Sequence, residues 1–133
     1  MIVLDTHALI WLITANANLG PRSQRMIRSA IADSAVFVSA ITFWEIALLT
    51  AKQRLRPSRS PADQRLTVLD SGIQELPVTG EIAINAVELN NLPGDPADRL
   101  IVATAIWHGA TLMTADEALL NWRHTLRRTD ASK

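Results

Sequence analysis

The most informative absence in this 133-residue sequence is that of cysteine. It excludes disulfide bonds, thiolate catalysis and cysteine-ligated zinc, and it fits a reducing compartment. Long hydrophobic runs are also missing, since no apolar stretch approaches the roughly 20 residues of a membrane-spanning helix. The short apolar start has no basic residue before it and is interrupted by Asp5, which argues against a signal peptide. We therefore expect a cytoplasmic protein that does not enter a membrane.

Several motifs that bind phosphates or present nucleophiles are absent as well. The sequence has no Gly-x-x-x-x-Gly-Lys loop, no Gly-x-Gly-x-x-Gly turn and no Gly-x-Ser-x-Gly elbow, which disfavours nucleotide hydrolases and serine hydrolases. Lysine occurs only at Lys52 and Lys133. A phospho-receiver domain is an α/β unit of similar size, but it needs a lysine at the end of a late strand. Neither lysine lies at such a position, so this class is disfavoured too.

The charge of the chain is balanced overall but unevenly distributed. Residues 1–65 hold eight Lys/Arg against four Asp/Glu, residues 66–122 hold one against eight, and residues 123–133 hold four against one. One explanation of this uneven distribution is that the charged residues lie on solvent-exposed helix faces. Arg22, Arg25 and Arg28, which share one face of a predicted helix, are an example. The alternative is a nuclease whose basic flanks grip phosphates around an acidic centre. The segment 122–133 is expected to be a basic C-terminal tail.

The length and composition suit a single domain with one core, and the chain alternates between strand and helix patterns. We predict an α/β protein with a central parallel sheet of four to five strands between two helical layers, a three-layer α/β/α sandwich. The predicted strands are 2–4, 35–39, 73–78 and 110–114. The predicted helices are 7–13, 21–31, 40–51, 61–71, 80–89, 96–108 and 117–122.

Four acids occupy comparable places in this pattern. Asp5 follows the buried first strand, and Asp116 follows the fourth strand in the same way. Glu45 is a lone acid in the densely apolar segment 41–49, where a buried charge requires a partner or a metal. Asp98 lies in the first turn of a helix, after Asp95 as the predicted N-cap and a proline at the first helical position. The alternative for Asp5 is that it merely caps the following helix.

If the first and fourth strands are neighbours at a topological switch point, these carboxylates converge on one crevice. Like charges raise one another's pKa, and a bound divalent cation removes that conflict. Because the donors are all oxygen atoms, we expect Mg²⁺ or Mn²⁺ rather than zinc. Such a site suits phosphodiester hydrolysis, since the ion polarises the phosphoryl oxygen and lowers the pKa of a bound water.

Neighbouring side chains are expected to support this site. Thr6 and Thr114 would orient carboxylates or waters as outer hydrogen-bond donors, and Asp95 would assist in the same way. Arg99 would pair with an acid or with a scissile phosphate, or else form an ordinary ion pair with Asp95 or Glu45. His7 is a weaker candidate for the same crevice, because the three histidines have no metal-binding spacing.

Four segments that contain these acids resemble, in their order along the chain, the PIN-domain ribonucleases, and more narrowly the VapC-type toxins of bacterial toxin–antitoxin pairs. The segments are Ile2-Val3-Leu4-Asp5-Thr6-His7, Ser39-Ala40-Ile41-Thr42-Phe43-Trp44-Glu45-Ile46-Ala47, Asp95-Pro96-Ala97-Asp98-Arg99 and Leu112-Met113-Thr114-Ala115-Asp116. The resemblance covers essentially the whole chain. One departure is that relatives often have a histidine shortly before the Asp-Pro pair, where this chain has Pro93-Gly94.

The resemblance implies an α/β/α sandwich and a Mg²⁺- or Mn²⁺-dependent endoribonuclease whose acidic set is Asp5, Glu45, Asp98 and Asp116. It also implies a homodimer, an RNA substrate and inhibition by a cognate antitoxin that lays a segment over the active site. The alternative within the same fold is a non-catalytic PIN-like module that binds RNA or a protein. The uneven basic flanks suit that alternative, whereas the four intact acids count against it.

Overall fold

Short apolar segments of the chain form one parallel sheet in the computed structural model, which describes residues 1–92 and 94–133. The strands are β1 (Ile2–Leu4), β2 (Val36–Ser39), β3 (Gln74–Leu76), β4 (Thr111–Thr114) and β5 (Arg128–Asp130). Their spatial order is β3-β2-β1-β4-β5, and every neighbouring pair is parallel. The predicted parallel sheet of four to five strands is therefore confirmed, and the described residues contribute five strands to it.

Seven helices within residues 1–92 and 94–133 connect or follow the strands. They are α1 (Thr6–Ile13), α2 (Pro21–Ala32), α3 (Ile41–Ala51), α4 (Pro61–Asp70), α5 (Gly80–Glu88), α6 (Pro96–Trp107) and α7 (Glu117–Leu120). Prolines occupy the first turns of α2, α4 and α6, where no backbone N–H is needed. Ser39 lies one residue before the N-cap position of α3, and its hydroxyl accepts a hydrogen bond from the Ile41 amide at 3.3 Å. None of the helices in the described ranges is long and apolar enough to cross a membrane.

The sheet is covered by helices on both faces, as the three-layer prediction requires. On one face, Leu4 packs in a buried cluster with Leu9 of α1, Ile27 of α2 and Ile46 of α3. On the other face, Val3 packs with Ile101 of α6 and with further residues of the C-terminal third of the chain. Side chains that alternate along β1 thus point to opposite layers, which explains why this strand is apolar throughout.

The switch point of the sheet lies between β1 and β4. Strands β1, β2 and β3 are added successively toward one edge, and the chain then crosses to the other side of β1 to form β4. The Asp5 amide donates to the Met113 carbonyl at 3.1 Å, so the ends of β1 and β4 are joined directly. In open α/β sheets, a crevice outside the carboxyl ends of the strands at this point is the usual ligand site.

Part of the predicted basic C-terminal tail lies in the sheet, because residues 128–130 form the edge strand β5. Parallel pairing with β4 and an Ala131 amide bonded to the Thr114 carbonyl hold this segment in the sheet. Beyond it, the Lys133 carbonyl accepts from the Arg22 amide at 2.8 Å at the first turn of α2. The approach is so close that a Cβ at Gly20 would lie 2.1 Å from the Lys133 oxygen. The segment is part of the folded unit rather than an appended arm.

Arg128 also shows why this segment is ordered. Its guanidinium donates to four backbone carbonyls, at Leu119 (2.8 Å), Trp122 (2.6 Å), His124 (2.9 Å) and Leu126 (3.0 Å). This half-buried cation satisfies the carbonyls after α7 and fixes the entry into β5. Its charge is therefore used inside the fold and does not serve as a free contact for phosphate.

We expect Arg128→Met to lower the free energy of unfolding by about 2–4 kcal/mol, because several charge-assisted hydrogen bonds to carbonyls are lost together. The matched control is Arg127→Met, since the exposed Arg127 donates to the Gly109 carbonyl alone. That change should cost less than about 1 kcal/mol. Urea denaturation of the two variants measures the difference, and equal stabilities would contradict this structural role.

Candidate functional site

Three aspartates at the switch point are N-caps of three different helices. Asp5 caps α1, Asp95 caps α6 and Asp116 caps α7. In each case one carboxylate oxygen accepts from a backbone amide in the first turn of its helix. The contacts are Ala8 N to Asp5 Oδ1 at 2.8 Å, Asp98 N to Asp95 Oδ1 at 2.9 Å and Ala118 N to Asp116 Oδ1 at 2.9 Å. Capping fixes each carboxyl group and leaves its second oxygen outside the cap.

Two further acids reach the same region from within helices. Glu45 lies in the second turn of α3, and Asp98 is the third residue of α6. One carboxylate oxygen each from Glu45, Asp95 and Asp98 lies within 4.8 Å of the other two. Glu45 and Asp98 are half-buried, whereas Asp95 is exposed. This oxygen-only arrangement has the donor chemistry that Mg²⁺ and Mn²⁺ prefer.

The electrostatics of Asp98 reflect this crowding. Burial, and after it the neighbouring negative charges, together raise the pKa of the Asp98 carboxyl from 3.8 to about 7. In decreasing order of effect, those charges belong to Asp95, Glu45, Asp116 and Asp5. Asp98 is therefore linked electrostatically to every other acid of the site.

Asp5 and Glu45 are perturbed in the same direction. Burial is the main cause that raises the pKa of the Asp5 carboxyl, and the charge of Asp116 contributes to it. Burial also dominates at Glu45, where the charges of Asp95 and Asp5 raise the pKa further. Asp5, Glu45, Asp98 and Asp116 thus form one electrostatically coupled set. These four acids and Asp95 are called the acidic rim below.

The two threonines that the sequence suggested lie against the acidic rim. The Thr6 hydroxyl donates to Glu45 Oε1, and it lowers the pKa of that carboxyl. The Thr114 hydroxyl accepts from the Asp116 amide at 3.1 Å, and its hydrogen bond to Asp5 lowers the pKa of Asp5. Both side chains are almost fully buried, which makes them fixed supports for the carboxylates.

Arg99 forms no ion pair with an acid of the site among the described residues. Its guanidinium donates to the carbonyls of Ala86, Leu89 and Leu92, at 3.0–3.1 Å, and so closes the carboxyl end of α5 and the following loop. The only ion pair across residues 1–92 and 94–133 is Arg65–Glu75 at 2.8 Å. The predicted pairing of Arg99 with Asp95 or Glu45 is therefore wrong, and its guanidinium is engaged away from the acids.

His7 and Gly94 lie beside the acidic rim. His7 is exposed, and its positive form lowers the pKa of both Asp5 and Glu45, which places it beside the rim. Gly94 approaches Asp98 so closely that an added Cβ would lie 3.0 Å from Asp98 Oδ2, and its φ of +113° is left-handed. Pro93, the residue before Gly94, lies outside the described residues.

Two residues of the site have contacts that go beyond what the sequence predicted. Asp95 was expected only as a cap with an assisting role, but its carboxylate is a member of the close trio. Its spacing of three residues from Asp98 was the available signal, since such residues share a helix face. Thr42, three residues before Glu45, has its hydroxyl 3.3 Å from that of Thr6. The same spacing rule identifies it.

The fold and the acidic rim together define a class: a parallel α/β sandwich with carboxylates gathered at its switch point. Within that class, the model of the PIN domain family matches residues 2–123. Ribonuclease VapC22 of Mycobacterium tuberculosis (strain ATCC 25618 / H37Rv) is 35% identical over 124 residues, which are 92% of each chain. This chain therefore belongs to the PIN domain family.

Solved structures agree with the fold. VapBC2 from Rickettsia felis, bound to a DNA fragment from its promoter, is similar with a TM-score of 0.71 at 18% identity, covering 97% of this chain and 98% of that chain. A toxin–antitoxin complex from Klebsiella pneumoniae is similar with a TM-score of 0.65 at 21% identity, covering 98% of each chain.

Proposed function

We propose that this protein is a metal-dependent endoribonuclease that acts as the toxin of a toxin–antitoxin pair. The observation that carries the proposal is the close carboxylate trio of Glu45, Asp95 and Asp98, coupled to Asp5 and Asp116 at the switch point. Membership of the PIN family and 35% identity to a ribonuclease support it. The toxin–antitoxin complexes among the structural neighbours support the second half of the proposal.

The residues present fit a hard divalent cation. Every donor is a carboxylate oxygen, and the raised pKa values of Asp5, Glu45 and Asp98 mean that the negative charges lack compensation within the protein. Mg²⁺ or Mn²⁺ would be held by the carboxylates of Asp5, Glu45, Asp98 and Asp116. Asp95 would offer a further carboxylate beside Glu45 and Asp98. A cation in this position would polarise a phosphoryl oxygen and make a water nucleophile available near neutral pH.

The protein's own groups have distinct tasks in this chemistry. The helix caps hold Asp5, Asp95 and Asp116 at fixed positions, so little reorganisation accompanies substrate binding. The Thr6 hydroxyl orients Glu45, and the Thr114 hydroxyl contacts Asp5. A carboxylate of the rim is also available to take the proton that the attacking water releases.

RNA phosphates would meet the basic residues that remain exposed. Three of these residues lie on α2 and four lie in the segment between α3 and α4; they are Arg22, Arg25, Arg28, Lys52, Arg54, Arg56 and Arg59. Among the described residues none of them forms an ion pair. Phosphate contacts of this kind give affinity that falls as the salt concentration rises.

The proposed partners are a cognate antitoxin that covers the acidic rim, and a second copy of the chain. Exposed apolar side chains on α5, Ile84 and Val87, are spaced for a helix-mediated contact between copies. The proposed location is the cytoplasm, where RNA and the antitoxin are both present. A small open reading frame directly upstream, encoding a DNA-binding antitoxin, is the expected genomic context.

Purified protein is expected to cleave cellular RNA with Mn²⁺ or Mg²⁺, to lose this activity in EDTA and to regain it when the metal is restored. Its expression should arrest growth, and co-expression of the upstream antitoxin should restore growth. RNA binding without cleavage under any divalent metal would contradict the enzymatic proposal. It would favour the non-catalytic PIN-like binding module, which the exposed basic residues also suit.

A further inference from the structure

Thr42 is a buried residue that lies next to the acidic rim, in contact with the threonine that bonds to Glu45. Its side chain is fully buried on the first turn of α3, three residues before Glu45. The partner of its hydroxyl is the Thr6 hydroxyl at 3.3 Å. Thr6 is itself almost fully buried and contacts Glu45 Oε1. Three side chains from two elements therefore form a continuous polar chain that ends on a carboxylate.

The number of hydrogen atoms on these side chains determines which group donates in each hydrogen bond. A threonine hydroxyl has one hydrogen to donate and two lone pairs to accept with. A carboxylate accepts only, so the Thr6 hydrogen is committed to Glu45. The contact between the hydroxyls must then be donated by Thr42. The order is Thr42 to Thr6 to Glu45, in which each donor polarises the next.

Glu45 needs such support more than the other acids do. Asp5, Asp95 and Asp116 are each fixed by a backbone amide of the helix that they cap. Glu45 has a longer side chain, and in residues 1–92 and 94–133 its carboxylate accepts only from Thr6. The orientation of its carboxylate therefore depends on the rotamer of Thr6, which Thr42 contacts from the other side.

We propose that Thr42 is a positioning residue that holds the Glu45 carboxylate in its metal-binding orientation through the Thr6 hydroxyl. This inference rests on the proposed metal-dependent function. Thr42 touches neither metal nor substrate, so its effect must pass through Thr6. Removal of an outer hydrogen-bond partner from a metal site typically costs 10–100-fold in metal affinity or activity.

The test compares Thr42→Val with Thr42→Ser. Valine keeps the shape of threonine but removes the hydroxyl, whereas serine keeps the hydroxyl. Calorimetric titration with MnCl₂ is expected to give about tenfold weaker binding for Thr42→Val and a wild-type affinity within about threefold for Thr42→Ser. The matched control is Thr104→Val, because Thr104 is also fully buried but bonds only to the Leu100 carbonyl at 2.7 Å. It should bind Mn²⁺ like the wild type.

A second arm shows whether Thr42 acts through Glu45. In a Glu45→Ala background, Thr42→Val should produce no further loss of Mn²⁺ affinity. A full additional tenfold loss in that background would overturn the inference. So would wild-type affinity of Thr42→Val itself.

Metal-free crystal structures of both Thr42 variants keep the test independent of the proposed function. We expect the contact between Thr6 and Glu45 to be lost in Thr42→Val and retained in Thr42→Ser. An unchanged Glu45 carboxylate in Thr42→Val would contradict the positioning role. If the wild type binds no Mn²⁺ while the variant structures differ as expected, the metal-dependent function fails and the positioning role of Thr42 for Glu45 stands.

Discussion

Asp5→Asn is expected to reduce the rate of metal-dependent RNA cleavage by about a thousandfold or more. The change replaces one carboxylate oxygen with an amide nitrogen that cannot bind a cation. A metal site supplies several kcal/mol of transition-state stabilisation, and each 1.36 kcal/mol corresponds to a factor of ten in rate. Single-turnover cleavage of a defined RNA at saturating Mn²⁺ measures this loss.

The fold should survive this substitution. Asn is as good an N-cap as Asp, so the contact with the Ala8 amide at 2.8 Å has a replacement. The control is Asp33→Asn, since Asp33 is exposed at the carboxyl end of α2, just before β2 begins. It should cleave RNA at the wild-type rate. Undiminished cleavage by folded Asp5→Asn protein would remove Asp5 from the catalytic set.

Asp98→Asn should stabilise the metal-free protein at pH 8 but not at pH 4. Below its ordinary pKa of 3.8, the Asp98 carboxyl is protonated in both the folded and the unfolded state, so it makes no pH-dependent contribution. Between pH 3.8 and about 7 it is ionised only in the unfolded state, and stability falls as the pH rises. Above about pH 7 the full penalty is present, and asparagine removes it.

The size of this effect follows from the shift. A change from 3.8 to about 7 corresponds to ~4 kcal/mol, and because Asp98 is partly solvated we expect about half of that at pH 8. Chemical denaturation in EDTA at both pH values measures it. Addition of Mn²⁺ at pH 8 should reverse the ranking, since the cation stabilises the wild type and not the variant. A metal-free variant less stable than the wild type at pH 8 would contradict the crowded-carboxylate description.

The acidic rim was predictable because it follows from a repeated local pattern. An apolar strand that ends in an acid occurs at Asp5 and again at Asp116, and a parallel sheet brings both ends to one edge. Glu45 was identified because a lone acid in an apolar helix is costly without compensation. These arguments also require the first and fourth strands to be neighbours, which was a condition of the prediction and which the parallel pairing of β1 with β4 meets.

Other features depend on contacts that no local pattern encodes. Arg99 is directed by the carbonyls at the end of α5, which lie ten to thirteen residues before it and are brought close only by tertiary packing. Strand β5 has the polar sequence Arg-Thr-Asp, so hydrophobic alternation gave no signal for it. Its pairing with β4 and the carbonyl contacts of Arg128 hold it in the sheet instead.

The place of Asp95 in the close carboxylate trio was not predicted, for a related reason. The sequence around it satisfies the rule for an N-cap, and the structure confirms that cap. A capping carboxylate nevertheless has a second oxygen, and in this fold that residue lies at the switch point beside Glu45 and Asp98. A side chain that caps a helix with one oxygen thus keeps a second oxygen for another partner, and Asp5 caps α1 in the same way.

The most direct test of the metal centre is anomalous diffraction from crystals of the protein soaked in MnCl₂ and measured at a wavelength where manganese scatters anomalously. We expect a peak enclosed by the carboxylates of Asp5, Glu45, Asp98 and Asp116, with metal–oxygen distances of about 2.0–2.3 Å. The peak should be lost in crystals of Asp5→Asn. Ordered carboxylates with no peak at the acidic rim, at Mn²⁺ concentrations that support RNA cleavage, would contradict the account.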